Sequence, residues 1–364
     1  MQKKLKHFAT LLLLGAVILG FCAWSVVKPD ETLSVSERRN LAQFPDLSVN
    51  TLLSGRFMTN FEAYTLDQFP MRDRLRSFKA LTALTLLRQN DTNGVYDDRG
   101  YLAKLDFPLD TASIDNAAKR FAAVYDRYLA ESDCKVYLSI VPDKNYYTDA
   151  AYPKLDYAAL TERLTAAMPW AQAIDLTGTL TLESYYRTDP HWRQEALADA
   201  ALALAQGMGA EVTTGFETVE LPQPFYGAYC GQLALSVEPD TLRYLTNDVL
   251  AACRLYNFET QAYSPLNDEA ALESNDLYNY FLYGSRSLLT IENPNARTER
   301  ELVVFRDSYG SSIASLLAEG YASITLVDIR YLSPELLSRY LTFENQDVLF
   351  LYSTSVLNSS NALR

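Results

Sequence analysis

Histidine is almost missing from this chain: 364 residues hold two, His7 and His191. A metal centre built from several imidazoles is therefore excluded. Cysteine is scarce as well. Beyond Cys22, the cysteines Cys134, Cys230 and Cys253 fit no zinc spacing and are too few for a dense disulfide framework. If one pair forms in an exported protein, Cys230 with Cys253 is the candidate, and one thiol is left over. Basic residues are outnumbered, 32 against 45 acidic, for a net charge of -13 and a pI near 4.7. That balance argues against a general nucleic-acid binder. There is no internal repeat and no low-complexity segment. With 48% hydrophobic and 21% charged residues, the chain has a folding composition and room for one large domain or two ordinary ones.

What is present begins with an apolar run. Residues 8–27, FATLLLLGAVILGFCAWSVV, are 20 positions without a charge. At about 1.5 Å per residue such a helix reaches the roughly 30 Å of a bilayer core. Lys3, Lys4 and Lys6 precede it, which keeps the N-terminus cytoplasmic and exports the rest. A cleaved signal peptide is the other reading, but the run is long for one and no clear small-x-small site follows. Cys22 raises a lipoprotein site, for which Phe21 is a poor preceding residue. We expect a retained signal anchor: one pass through the cell membrane, with the C-terminal domain extracytoplasmic. His191 is then the single histidine of the exported part. Residues 1–28 hold four lysines and no acid, so the remainder keeps 28 basic against 45 acidic residues, a net charge of -17. Such a surface repels nucleic acid and anionic lipid.

Three regions follow. Residues 1–28 are the cytoplasmic tip and anchor. Residues 29–100 are a linker (29–45) and a helical region, with helices expected at 48–66 and from Pro70 to Leu87, then a hairpin at 94–105 turning on Asp-Arg-Gly. Residues 101–364 alternate helix and strand. The expected helices are 114–130, 191–206, 311–319 and 334–341; the strands are 135–141, 173–176, 302–305, 323–329 and 348–352. Alternation of this kind implies a parallel sheet with helices on both faces. Residues 209–300, rich in tyrosine and turn residues, break it and read as an insertion over one end of the sheet.

Two motifs carry candidate chemistry. In Arg187-Thr188-Asp189-Pro190-His191-Trp192, Asp189 can reach a ring nitrogen of His191, setting its tautomer and leaving the other nitrogen as a base. The plain alternative is a helix start, with Asp189 as cap and Pro190 at the first position. In Val304-Phe305-Arg306-Asp307-Ser308-Tyr309-Gly310, a buried strand meets a tight turn. Ser308 would lie at the carboxyl end of a strand, where ligands gather in open α/β sheets, with helical N–H groups beside it for an oxyanion. Here too capping is the alternative. Together they assemble a nucleophile, a base and an orienting carboxylate. Lys144, just after a strand, is either a crevice residue or a solvated loop lysine. The 25 tyrosines include possible sugar-stacking surface, though most belong to core or interface.

R-T-D-P-H-W, followed about 115 residues later by F-R-D-S-Y-G, resembles the DHHW protein family, itself similar to the SGNH-hydrolase-like proteins that acetylate alginate at the bacterial surface. N-L-A-Q-F-P (40–45), D-Q-F-P-M-R-D (67–73), N-G-V-Y (93–96) and F-Y-G (225–227) extend the likeness along the exported chain. The resemblance implies an SGNH-hydrolase-like doubly wound parallel sheet in circularly permuted motif order. It implies Ser308 as nucleophile, His191 as base and Asp189 as orienter. It departs at Pro190, where the family name has a first histidine, and at Arg306, where many SGNH enzymes have glycine. Tyr309, Gly227, Asn145 and Lys144 are the oxyanion or substrate candidates, with turn roles as the alternative for Gly227 and Asn145.

The implied function is a serine-type O-acetyltransferase or acetylesterase on a cell-surface polysaccharide, without a cofactor, supplied with acetyl groups by a multi-pass membrane acyltransferase partner. The alternative is a glycan-binding or assembly protein on an SGNH-like scaffold that has no chemistry of its own. Metal-dependent hydrolysis is weak, since His191 would have only carboxylates as companions.

Overall fold

The computed structural model describes residues 2–34, 36–37, 39–149 and 152–364, and the side chains from residue 5 onward within them. The side chains of Lys3 and Lys4 lie outside the described residues. The chain divides into two compact units, residues 1–93 with 230–236, and residues 94–229 with 237–364.

In the first unit, helix Gln2–Val27 contains the apolar run and has none of it buried. It is long and apolar enough to be a membrane anchor or a signal sequence. The 29–45 stretch, read as a linker, carries a short antiparallel pair, Leu33–Ser34 with Arg39–Asn40; Val35 and Arg38 lie outside the described residues. The single helix expected at 48–66 is two, Val49–Leu53 and Arg56–Asp67, because Gly55 turns left-handed (φ 74°) between them. The next helix starts at Arg72, two residues after Pro70, and its end widens into a π-helical turn through Leu86. Arg39 and Asp67 form a two-pronged pair at 2.7 and 2.6 Å.

The second unit holds an eight-stranded sheet. Its strands are β1 (Lys135–Val141), β2 (Gln172–Ala173), β3 (Arg254–Asn257), β4 (Ala262–Ser264), β5 (Leu288–Glu292), β6 (Glu301–Arg306), β7 (Ser323–Val327) and β8 (Asp347–Ser353). The order is β4-β3-β5-β7-β6-β8-β1-β2. From β7 to β2 all pairs are parallel, and β5, β3 and β4 add antiparallel strands at the β7 edge. The parallel strands are continuous apolar runs because both faces are covered. On one face Leu302, Val304, Leu349 and Leu351 meet Ala201 and Leu204 of helix Ala198–Met208. On the other, Val303, Phe305, Val348 and Phe350 meet Phe121 of helix Thr111–Val124 and Leu160 of helix Tyr157–Ala167. Each fully buried Leu or Phe contributes about 1.5–3 kcal/mol.

Three expectations are corrected. The 209–300 insertion does not merely cover the sheet, since it supplies β3, β4 and β5, plus a separate hairpin of Glu217–Phe225 with Asp240–Thr246. The helix expected from His191 begins at Ala198. Trp192 and Gln194 are instead turned toward Ser312 by side-chain hydrogen bonds, and these override the local helical preference. The end of that helix is capped as its sequence implies, by Gly209 at φ 67°. The candidate Cys230–Cys253 bridge is not found among the described residues, and burial pushes the Cys253 thiol up to about 11.

Candidate active site

The turn after β6 is rigid from below. Asp307 is fully buried; its Oδ1 accepts the Tyr309 N–H (3.0 Å) and its Oδ2 the Ser353 N–H at the end of β8 (2.8 Å). A Cβ on Gly310 would sit 2.7 Å from Cβ of Arg306, so the chain can turn this sharply only with glycine there. Arg306 lies wholly inside, donating to the Asp307 and Gly284 carbonyls and to Ser311 Oγ, with burial pulling its guanidinium below its usual range. Ser308 is left half-buried at the carboxyl end of β6. The N–H groups expected to be free are mostly taken: Tyr309 by Asp307 Oδ1, Gly310 by the Asp307 carbonyl, Ser311 by the Ser308 carbonyl. The N–H of Ser308 itself has no acceptor among the described residues.

The other motif sits on a loop pinched at its base. Tyr185 and Trp192 form an antiparallel bridge, and the Tyr186 N–H donates to the His191 carbonyl (3.1 Å), so residues 187–191 form a tip. Asp240 holds that tip, accepting the N–H groups of Arg187 and Thr188 and the Thr188 hydroxyl at 2.6–2.8 Å. Within it, His191 Nδ1 lies 2.6 Å from Asp189 Oδ1, and His191 Nε2 lies 2.8 Å from Ser308 Oγ. Asp189 is 1% exposed and also accepts the N–H groups of His191 (3.2 Å) and Ala228 (2.9 Å). A carboxylate with this many donors is fixed in place and fixes the imidazole in turn.

Four further contacts stitch the tip to the Ser308 turn. Tyr309 donates its hydroxyl to the Pro190 carbonyl (2.7 Å). The Trp192 indole donates to Ser312 Oγ (2.8 Å) and the Tyr309 carbonyl (3.1 Å), and Gln194 donates to the Ser312 carbonyl (2.6 Å). Tyr278, from the 209–300 stretch, stacks on the His191 ring with centroids 3.8 Å apart. Sequence reasoning missed Trp192, Gln194, Tyr278 and Asp240. Their signal is weak: each is an ordinary core or turn residue until the two motifs meet.

The remaining candidates are engaged. Lys144 is neither a solvated loop lysine nor open to a crevice. It is 2% exposed, and its ammonium donates to the carbonyls of Leu102 (2.7 Å), Tyr186 (2.5 Å) and Arg187 (3.4 Å), 5.2 Å from the ring centre of Tyr229. Asn145 accepts the Tyr96 hydroxyl and donates to the Lys104 carbonyl. Gly227 donates to Thr188 Oγ1 (2.8 Å), and a Cβ there would strike the Thr188 carbonyl at 2.2 Å. Beside Lys144, burial raises the Asp143 carboxyl to about 6 against the pull of its hydrogen bond from Tyr157. Among the described residues no group of three or more His, Cys, Asp or Glu side chains is arranged to hold a metal ion. A groove of about 650 Å³, bordered by Pro142, Tyr146, Tyr157, Asp175 and Thr354, runs beside the carboxyl ends of β1 and β8.

No family model and no curated protein matches the sequence. Solved structures do match. The chain is similar to a DHHW family protein from Eubacterium siraeum, at 22% identity and a TM-score of 0.60, over 75% of this chain and 97% of that one. It is also similar to Bacillus cereus PatB1, both alone (18% identity, TM-score 0.56, 72% and 96% of the two chains) and with a sulfonyl adduct (15%, 0.57, 72% and 95%). The likeness expected from the motifs is thus found in the fold, an α/β architecture with a mostly parallel sheet.

Proposed function

We propose that this protein is a membrane-anchored, extracytoplasmic acyl-transfer enzyme of serine type, moving acetyl groups to or from a cell-surface polysaccharide. One observation carries the reading: Asp189, His191 and Ser308 are linked in sequence by contacts of 2.6 and 2.8 Å at the carboxyl end of a parallel sheet. A protein of similar fold, PatB1, has been solved with a sulfonyl adduct, and sulfonyl electrophiles capture activated hydroxyl groups.

In this reading Ser308 Oγ attacks the ester carbonyl carbon and His191 Nε2 takes its proton. Asp189 holds the resulting imidazolium. The tetrahedral oxyanion meets the unengaged N–H of Ser308. Collapse breaks the ester C–O bond; the leaving alcohol takes the proton from His191, and the acetyl group remains on Ser308. An acceptor hydroxyl, deprotonated by His191, then attacks the acyl carbon; the bond to Ser308 Oγ breaks and Ser308 takes the proton back from His191, giving transfer if the acceptor belongs to a sugar and hydrolysis if it is water. In this reading the apolar N-terminal helix is an anchor whose first-turn lysines stay cytoplasmic, so the chemistry lies outside the membrane, where a multi-pass acyltransferase partner would supply acetyl groups.

A non-catalytic glycan-binding role is favoured by a different observation. Acyl-transfer sites ordinarily aim more than one donor at the oxyanion, and here the other turn N–H groups are occupied. The two readings separate on one comparison. The full chain in detergent is given an activated acetyl ester beside Ser308→Ala; acyl transfer requires turnover to fall by at least about 10³-fold, and equal turnover contradicts it.

A further inference from the structure

The imidazole of His191 lies flat on the ring of Tyr278, with planes 10° apart and centroids separated by 3.8 Å. Tyr278 is buried, and its ring is held on every side. Its hydroxyl meets Ser312 Oγ (2.9 Å), the same atom that receives the Trp192 indole, while Tyr186 and Phe281 pack against it edge-on. A neutral imidazole gains only dispersion from such a stack. A protonated one gains more, because the negative face of an aromatic ring attracts a cation. In acyl transfer the base is neutral before attack and protonated in the tetrahedral state, so this contact strengthens as the barrier is climbed.

We propose that Tyr278 is a positioning residue whose ring face stabilises the protonated form of His191. Its use in catalysis rests on the acyl-transfer reading; the stack does not. The groups facing the imidazole are few. Asp189 comes from its own turn, Ser308 and Tyr309 (centroids 4.9 Å apart, tilted) from the turn after β6, and Tyr278 from the short helical turn Leu277–Tyr280. Asp307 and Arg306 lie close enough to Tyr278 to act on it electrostatically. Asp189 provides the counter-charge along the edge of the ring, and Tyr278 provides the face.

The test holds all of those groups constant. The full chain in detergent carries His7→Gln, so that His191 gives the only imidazole signal. Position 278 then carries Tyr278→Phe or ring-fluorinated phenylalanine with one, three or five fluorines, a series of near-constant shape in which the ring face loses its negative charge. Nuclear magnetic resonance follows the imidazole titration midpoint, and acetyl-ester turnover is measured over the same pH range. The midpoint should fall progressively with fluorination, by about one pH unit at five fluorines, roughly tenfold in protonation. The acidic limb of turnover should move to lower pH with it, and kcat should drop while KM holds. Equal midpoints across the series overturn the proposal whatever the turnover. A falling midpoint with no turnover at any pH upholds the stack and contradicts the acyl-transfer reading instead. The graded series keeps the comparison open if the most fluorinated variant does not fold.

Discussion

Asp189 accepts from the backbone N–H groups of His191 and Ala228 and pairs with the His191 ring. Asp189→Asn can keep the backbone contacts, but its amide would face Nδ1 and favour the wrong tautomer. Turnover should fall by about 10⁴-fold with the melting temperature nearly unchanged, seen by steady-state kinetics beside thermal melts. Asp143 gives a pH prediction. Burial raises its carboxyl to about 6, so between roughly pH 4 and 6 the native state binds more protons than the unfolded chain. Stability contributed by the protonated group is therefore lost as pH rises through that window, by about 3 kcal/mol in all. Asp143→Asn should flatten this part of the melting-temperature profile; an unchanged slope contradicts the assignment. At this scale the sequence was most readable at Asp189, His191 and Ser308, which stand in two separate motifs and are joined in one chain of contacts. Lys144 shows the limit, because nothing in a lysine's neighbours along the chain reveals three carbonyl oxygens arriving from elsewhere. Tyr278 was one of 25 tyrosines.

Among the elements, the central parallel strands were legible and the connections and the antiparallel edge were not. Lys135–Val141 was recoverable to the residue, because a central parallel strand must be apolar on both faces. The loop 185–192 was misread as the approach to a helix, since Asp-Pro is a helix-start signal and the competing bonds are tertiary. The antiparallel β3, β4 and β5 were hidden because they are short and interrupted by turn residues. Trp192 measures how firmly the loop is fixed. Trp192→Phe keeps most of the apolar bulk but removes the indole donor, leaving the Tyr309 carbonyl and Ser312 Oγ without it. The cost should be about 1–3 kcal/mol in denaturant unfolding. Turnover should fall further than stability predicts, because the tip that carries His191 loosens. A variant with parent-like turnover would show that the tip is held without the indole.

For the whole molecule, a net charge of -13 accompanies an N-terminal helix, Gln2–Val27, that is long and apolar enough to be a membrane anchor or a signal sequence. In a bacterial host the full chain should sediment with membranes and resist alkaline extraction, and added protease should reach residues 94–364 only from the outer side. Recovery in the soluble fraction contradicts an anchor. The proposed acyl-transfer chemistry centres on Ser308. The most direct measurement is mass spectrometry of the full chain after brief exposure to an activated acetyl ester, with peptide mapping. The account predicts one acetyl group on Ser308, absent in His191→Ala and released when an acceptor glycan is added. No adduct on Ser308, or acetylation there that is indifferent to His191, contradicts it.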